Sequence, residues 1–465
     1  MLEWNDCKKQ PQLSSRKIDM KYLYDSNAFA PSNVAPSYWR DTAPAIDDFP
    51  KLSTDDQCDI AVIGSGYTGM MTAYHLATRY GMDVRILEAA QPGWGASGRN
   101  GGFCCMGATK LSYQQMIKRY GLEGARSFFD TQKESVSFVA SFLKDNNIAA
   151  DETGEGEIAL AHKANRMKEL QEEQSFLKAT FGHNTSLLQP GDLTEMGLSG
   201  DFHGGLHNPT GFGLHPLKYA RGLAVLLRKN GIPIYGNSPV TQWTRHGNNH
   251  ILRTPEGKLT AKQVVMATNG YTPEDLSKSA SGKLLPALSS VLVTPPLSDK
   301  ELSQQGWHNT TPVYDSRILL HYFRLLPDGR FLFGGRGGTD ASPTGSANAE
   351  RVLRQDFEKL FPGWASIPHT HFWQGFVCLA NNLVPYIGPI NEDNTAWASL
   401  AYHGNGVAMS SWAGQALADE IAGKDKVSKL TSVLSRRYTN FPLPALRLLY
   451  LKAAYVYYHV KDEWL

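Results

Sequence analysis

After its first residue, Asp59-Ile60-Ala61-Val62-Ile63 is a short run of apolar, mostly β-branched side chains, and a glycine cluster follows it. Met70, Ala73, Tyr74 and Ala77 then recur at helical spacing, and Val84-Arg85-Ile86-Leu87 returns to the short apolar pattern. A strand covered on both faces loses the alternation of inward and outward side chains, whereas spacings of three and four put one apolar stripe on a helix. The pattern predicts a strand at 59–63, a helix at 69–80 and a strand at 84–87, which together make a β-α-β unit. Amphipathic helices are expected at 111–147 and 164–180, then a Gly/Pro/Asn-rich stretch at 199–216 and a helix at 216–229. Strands are expected at Ile232–Tyr235, Val240–Thr244 and Val264–Ala267. Those at 286–295 and 318–336 read as a separate sheet that turns at Asp328-Gly329. A strand at 396–401, a glycine turn at 403–406 and a helix at 407–423 repeat the opening pattern.

Composition narrows the classes. With 465 residues, 42% hydrophobic and 19% charged, the chain has material for two or three folding units around a sizeable core. Its 46 Lys and Arg nearly cancel 44 Asp and Glu, so no global field draws nucleic acid or an acidic membrane face. Five cysteines (Cys7, Cys58, Cys104, Cys105, Cys378) form no C-x-x-C pair, so neither a disulfide framework nor a metal site is expected. Residues 1–20 contain no continuous apolar segment, and no run approaches the roughly 18 apolar residues of a spanning helix. The expected address is the cytoplasm.

Candidate chemistry lies where the first strand meets the first helix. Gly64-Ser65-Gly66-Tyr67-Thr68-Gly69 is a G-x-G-x-x-G at that junction, and Glu88 ends the second strand. The first glycine permits the turn, the second admits a pyrophosphate close to the backbone, and the third lets helix and strand pack closely. An acid about 20 residues on can accept hydrogen bonds from a ribose. The ligand could be NAD or FAD. Ala89 follows the acid, and then Trp94-Gly95-Ala96-Ser97 leads into Asn100-Gly101-Gly102 in place of further β-α units. Such a loop offers many N–H groups to a diphosphate or a flavin edge, which favours FAD.

At this point the chain resembles the D-amino-acid-oxidase-type family of FAD-dependent amine oxidoreductases, and within it the γ-glutamylputrescine oxidase branch. The resemblance is carried by DIAVIGSGYTG (59–69), LEAAQPGWGASGRNGG (87–102), HPLKYARGLA (215–224), SPV (238–240), VVMATNGYT (264–272), DGRFLFGGRGG (328–338), VPYIGPI (384–390), YHGNGVAMSSWAGQALADEIAG (402–423) and Ser37-Tyr38-Trp39. It implies an α/β protein: a Rossmann-like, glutathione-reductase-type FAD domain and a second α+β substrate domain on a mixed or antiparallel sheet. The expected division is an arm at 1–58, a discontinuous FAD domain at 59–110, 205–285 and 371–465, and a substrate domain at 111–204 and 286–370. It further implies Val240 at the adenine, Ala267, Thr268 and Asn269 beside the pyrophosphate, and Gly404, Asn405, Gly406 and Val407 at the flavin's pyrimidine end. At that last place, helix N–H groups stabilise negative charge.

Some family members attach flavin through a cysteine near the position of Cys378, but the spacing here favours non-covalent FAD and a packed thiol. Sarcosine oxidases of this family carry a lysine where Ala408 stands and an arginine where Phe103 stands, both gripping a carboxylate. Without those cations, amines whose acidic group lies further away are favoured. Candidates to orient the substrate are His403, Tyr322, Arg324, Trp373 and Arg336. Tyr322 and Arg324 share one face of a predicted strand, and Trp373 could wall an amine pocket with its ring. The expected reaction oxidises the CH–NH bond of a γ-glutamylputrescine-like amine by hydride transfer, giving an imine, then an aldehyde, and with dioxygen hydrogen peroxide. Two alternatives stand. One is an amino-acid or N-substituted glycine dehydrogenase that passes electrons to a membrane acceptor, with the tail Leu443–Leu465 lying on the bilayer surface or docked on the body. The other is a flavin-binding module without turnover.

Overall fold

The computed structural model describes residues 20–423 and 430–464. Cys7, the first 19 residues of the arm and Leu465 lie outside the described residues. The chain is built on two large sheets. The first has eight strands. Its central strand, Asp56–Ile63, pairs parallel with Val84–Leu87 on one side and Lys258–Met266 on the other. Ile234–Tyr235 extends one edge in parallel, and Ala396–Leu400 extends the other. Both faces are covered, so Ile60, Ala61 and Val62 are at most 1% exposed, which explains the unbroken apolar pattern. Helix Tyr67–Tyr80 follows the first strand and ends where Gly81 takes a left-handed conformation at φ 64°.

The second sheet also has eight strands, in the order His371–Ala380, Leu284–Val293, Phe331–Arg336, Tyr322–Leu325, Val313–Asp315, Glu157–Leu160, Gly205–Asn208 and Ser186–Leu188. All its pairings are antiparallel except Val313–Asp315 with Glu157–Leu160. Helix Pro343–Leu360 covers one face around Trp307, Phe331, Phe357 and Trp364.

Three segments depart from the expected division. Gly205–Asn208 and His371–Ala380 were assigned to the nucleotide-binding part, yet both pair within the second sheet. Helix Tyr113–Asp145 was assigned to the substrate part, but it buries Met116, Phe128, Phe129 and Val139 in the core shared with helices Tyr67–Tyr80 and Gly406–Ala422. An amphipathic pattern says that a face is buried, not against what.

The tail forms a helix, Arg447–Glu463, docked by its ends. Arg447 pairs with Glu274 at 2.8 Å, and Asp462 accepts hydrogen bonds from the backbone N–H of Ile318 and Leu319, each at 2.9 Å. Leu449, Val456, Tyr457 and Trp464 face outward. Among the described residues, no helix is long and apolar enough to cross a membrane.

Candidate active site

One cavity of about 500 Å³ runs between the two sheets. Gly64, Ser65, Gly66, Tyr67 and Thr68 border it, with Glu88, Ala89, Trp94, Gly95, Ala96, Ser97, Asn100 and Gly101. Val240, Ala267, Thr268 and Asn269 join them, and so do Tyr322, Arg336 and the turn His403 to Val407. Four candidates do not line it: Gly69, Gly102, Arg324 and Trp373.

Each of the four works behind the wall. A Cβ on Gly69 would stand 1.9 Å from the Gly64 carbonyl oxygen, so only glycine lets the helix pass this close to the turn. Gly102, at φ 77°, donates its N–H to Asn100 Oδ1 at 2.8 Å and so closes the loop. Arg324 is 1% exposed and donates to the carbonyls of Gly101 and Leu214 and to Thr153 Oγ1. Burial lowers its pKa to about 10. Trp373 donates Nε1–H to the Arg99 carbonyl at 2.8 Å, and Trp39 in the arm does the same to the Asn100 carbonyl at 2.8 Å. Arg324 and Trp373 therefore brace the loop 93–102 and do not border the cavity.

The cradle is shaped for an anionic dinucleotide. Gly64 is at φ 102°, and a Cβ there would press to 3.0 Å from the Ala267 carbonyl. Glu88 Oε2 accepts from both the N–H and Oγ of Ser65 at 2.7 Å, while Oε1 accepts from Ala90 N–H at 3.0 Å. Ser97 Oγ accepts from Tyr67 N–H at 3.0 Å and ties the second loop to the first. Helices Tyr67–Tyr80 and Gly406–Ala422 both begin at this cavity, and in neither does the N-cap residue cap the helix with its own side chain. Apart from Tyr67 N–H, which Ser97 Oγ takes, their first-turn N–H groups and dipoles favour an anion there.

The turn after strand Ala396–Leu400 carries backbone strain: Ala401 and His403 have φ of 63° and 55°, and Gly404 has 116°. His403 is fully buried at the cavity wall. Burial lowers its pKa to about 3, so the imidazole is neutral. Tyr322 shares a hydrogen bond with Ser289 Oγ at 2.9 Å, and Ser289 stands opposite Arg336 in the sheet.

Lys110 also borders the cavity, and nothing in its sequence neighbourhood marks it. Its side chain keeps accessible surface because it opens on the cavity, yet the enclosing walls, followed by the Arg336 charge, pull its pKa down to about 7. Among the described residues, no carboxylate pairs with Lys110 or Arg336. Positions 408 and 103 carry no cation, and Lys110 and Arg336 bring two positive charges to the cavity from other elements. Cys378 lines the cavity as a buried thiol whose pKa burial raises, which favours the protonated form.

This architecture matches known proteins. Residues 59–420 match the sequence model of the FAD dependent oxidoreductase family (DAO). The chain is 28% identical over 402 residues to the Haemophilus influenzae protein named "Probable oxidoreductase OrdL", covering 86% of this chain and 90% of that one. It is 28% identical over 430 residues to the gamma-glutamylputrescine oxidoreductase of Escherichia coli K12, covering 92% of this chain and 98% of that one. The crystal structure of glycine oxidase from Geobacillus kaustophilus superposes with a TM-score of 0.67 at 20% identity, covering 83% of this chain and all of that one. The chain belongs to the DAO family of FAD-dependent oxidoreductases. Its cofactor is FAD, and its homologues act on amines and amino acids.

Proposed function

We propose that the protein oxidises the C–H bond next to the nitrogen of a small amine with a distal polar head, of the γ-glutamylputrescine type. The observation that carries this reading is one cavity whose lining joins the dinucleotide cradle to Tyr322, Arg336, Lys110 and His403 and also takes in Glu157 and Glu173. The similarity to the Escherichia coli enzyme over 92% of the chain supports the substrate class. FAD, when bound, supplies a two-electron acceptor that takes a hydride. The glycine turn 64–69, Glu88 and the loop 93–102 would hold it, and the N-terminus of helix Gly406–Ala422 would stabilise negative charge on it.

The chain's own groups position the substrate and keep water out. Lys110 and Arg336 disfavour a second positive charge beside them, so the reacting amine sits there neutral. Loss of a hydride and a proton leaves an imine, which water converts to an aldehyde and ammonia. The two electrons leave to dioxygen, which with two protons becomes hydrogen peroxide, or to another acceptor. The flavin is held without a covalent bond, Cys378 remaining a packed thiol.

A second reading has one observation in its favour. Lys110 and Arg336 lack carboxylate partners, and an α-carboxylate on an amino acid or N-substituted glycine would supply one.

Anaerobic visible spectra of the FAD-loaded protein decide between the two. γ-Glutamylputrescine bleaches the flavin bands under the first reading, and sarcosine or dimethylglycine does so under the second. Flavin that dithionite reduces but no amine or amino acid does would overturn both. Readmitting air tests for hydrogen peroxide, and acid precipitation that leaves the flavin in the supernatant tests the non-covalent attachment.

A further inference from the structure

Beyond the cations, the cavity has a second polar stretch that the reaction chemistry does not use. Glu157, on strand Glu157–Leu160, borders it while only 6% exposed. Its contacts are weak or neutral: Asn208 Nδ2 donates to Oε1 at 3.3 Å, and the Cys105 thiol lies within hydrogen-bonding reach. Among the described residues no Lys, Arg or His pairs with it, although a buried carboxylate is costly without a cation. Burial accordingly pushes its pKa up to about 8. Glu173, from helix Arg166–Phe181, borders the same cavity on a more exposed side and, among the described residues, also lacks an ion-pair partner. The rings of Tyr113, Phe129 and Tyr314 line the wall with these two acids.

We propose that this recess binds the distal ammonium group of the amine substrate and selects amines that carry one. The inference rests on the amine-oxidation reading above. An ammonium is compact and brings three donors, so two carboxylates can accept from it while aromatic faces attract it. It supplies the positive charge that buried Glu157 lacks. The hydroxyls of Tyr113 and Tyr314 can donate to a carboxylate carried beside that ammonium. The two stretches of wall carry opposite charge, Lys110 and Arg336 on one and Glu157 and Glu173 on the other. A substrate with a cation at one end and a neutral amine at the other therefore has one favoured direction of entry: cation to the acids, reacting amine to Lys110 and Arg336.

The test compares γ-glutamylputrescine with N-acetylputrescine, which has the same reacting amine and no distal charge. Each is titrated anaerobically into FAD-loaded wild type, Glu157→Gln and Glu173→Gln, and half-saturation is read from flavin bleaching. Loss of a charge-assisted hydrogen bond predicts that preference for γ-glutamylputrescine over N-acetylputrescine falls about tenfold or more in each variant. Glu173 is exposed on its helix, so Glu173→Gln carries the test even if the buried substitution prevents folding. Equal shifts for both substrates, or no shift in a flavin-loaded variant, would overturn the ammonium subsite while the amine reading stands. A wild-type flavin that neither amine bleaches overturns the amine reading and the subsite with it.

Discussion

Gly69 and Arg324 show what single residues contribute here. A methyl group at position 69 would collide with the Gly64 carbonyl oxygen at 1.9 Å, and backbone cannot yield as a side-chain tip can. Overpacking of this kind costs about 1–3 kcal/mol. Gly69→Ala should therefore purify with FAD substoichiometric, its FAD affinity weakened by about tenfold or more in a fluorescence titration. Arg324 makes a contrasting prediction. In Arg324→Leu the carbonyls of Gly101 and Leu214 lose their donor, and each buried acceptor left unpaired costs about 1–3 kcal/mol. The expected outcome is a lower melting temperature with little change in substrate KM; a selective rise in KM in a stable variant would return Arg324 to the substrate site. Tyr322 and Arg324 were inseparable in the sequence because they alternate on one strand face. The close approach of Gly101 and Gly102, one under each side chain, places the tyrosine at the cavity and the arginine behind the loop.

At the scale of elements, the strands below the cavity are tied by a buried charge cluster. His321 Nδ1 lies 2.8 Å from Asp315 Oδ2 and its Nε2 3.3 Å from Asp356 Oδ2, directly before Tyr322. Burial opposes the imidazolium, but the charges and hydrogen bonds of Asp315 and Asp356 together outweigh it and raise the His321 pKa to about 9. For Asp315, burial would raise the pKa, and the charge and hydrogen bonds of His321 together with the Arg317 charge reverse this to a net lowering. A histidine whose folded pKa is raised stabilises the fold fully below its unfolded pKa of about 6.5 and loses that contribution as pH rises through the folded value. Thermal stability should therefore fall between about pH 6.5 and 9.5. His321→Gln should flatten that slope, and a wild-type melting temperature constant across the window would refute the role given to the cluster.

For the whole molecule, helix Arg447–Glu463 links distant segments through its two ends. Asp462 accepts from two backbone N–H groups and is 1% exposed, so Asp462→Ala leaves both donors buried and unpaired. That predicts a loss of about 2–4 kcal/mol in docking and earlier proteolytic cleavage of the tail, read by mass spectrometry. An unchanged cleavage pattern would show that Arg447 and its Glu274 pair suffice. The outward side chains Leu449, Val456, Tyr457 and Trp464 are separate from this docking, and vesicle sedimentation of the full chain tests whether they meet a bilayer.

What the sequence determined by itself was local. The dinucleotide turn, its acid and the second glycine loop are legible because glycine, acid and helix start have fixed steric roles at fixed spacing within one β-α-β unit. The strands at 286–295 and 318–336 were legible for a like reason, since strand runs and the Asp328-Gly329 turn between them are local signals. Only the tertiary structure decided which charges share a cavity. Lys110 precedes a helix, Glu157 sits in a strand, Glu173 on a helix and Arg336 at the end of another strand. No period or spacing connects them, because they meet through the pairing of strands and the packing of helix faces far apart in the chain. The same is true of Trp39 and Trp373, which reach one loop from opposite ends of the sequence.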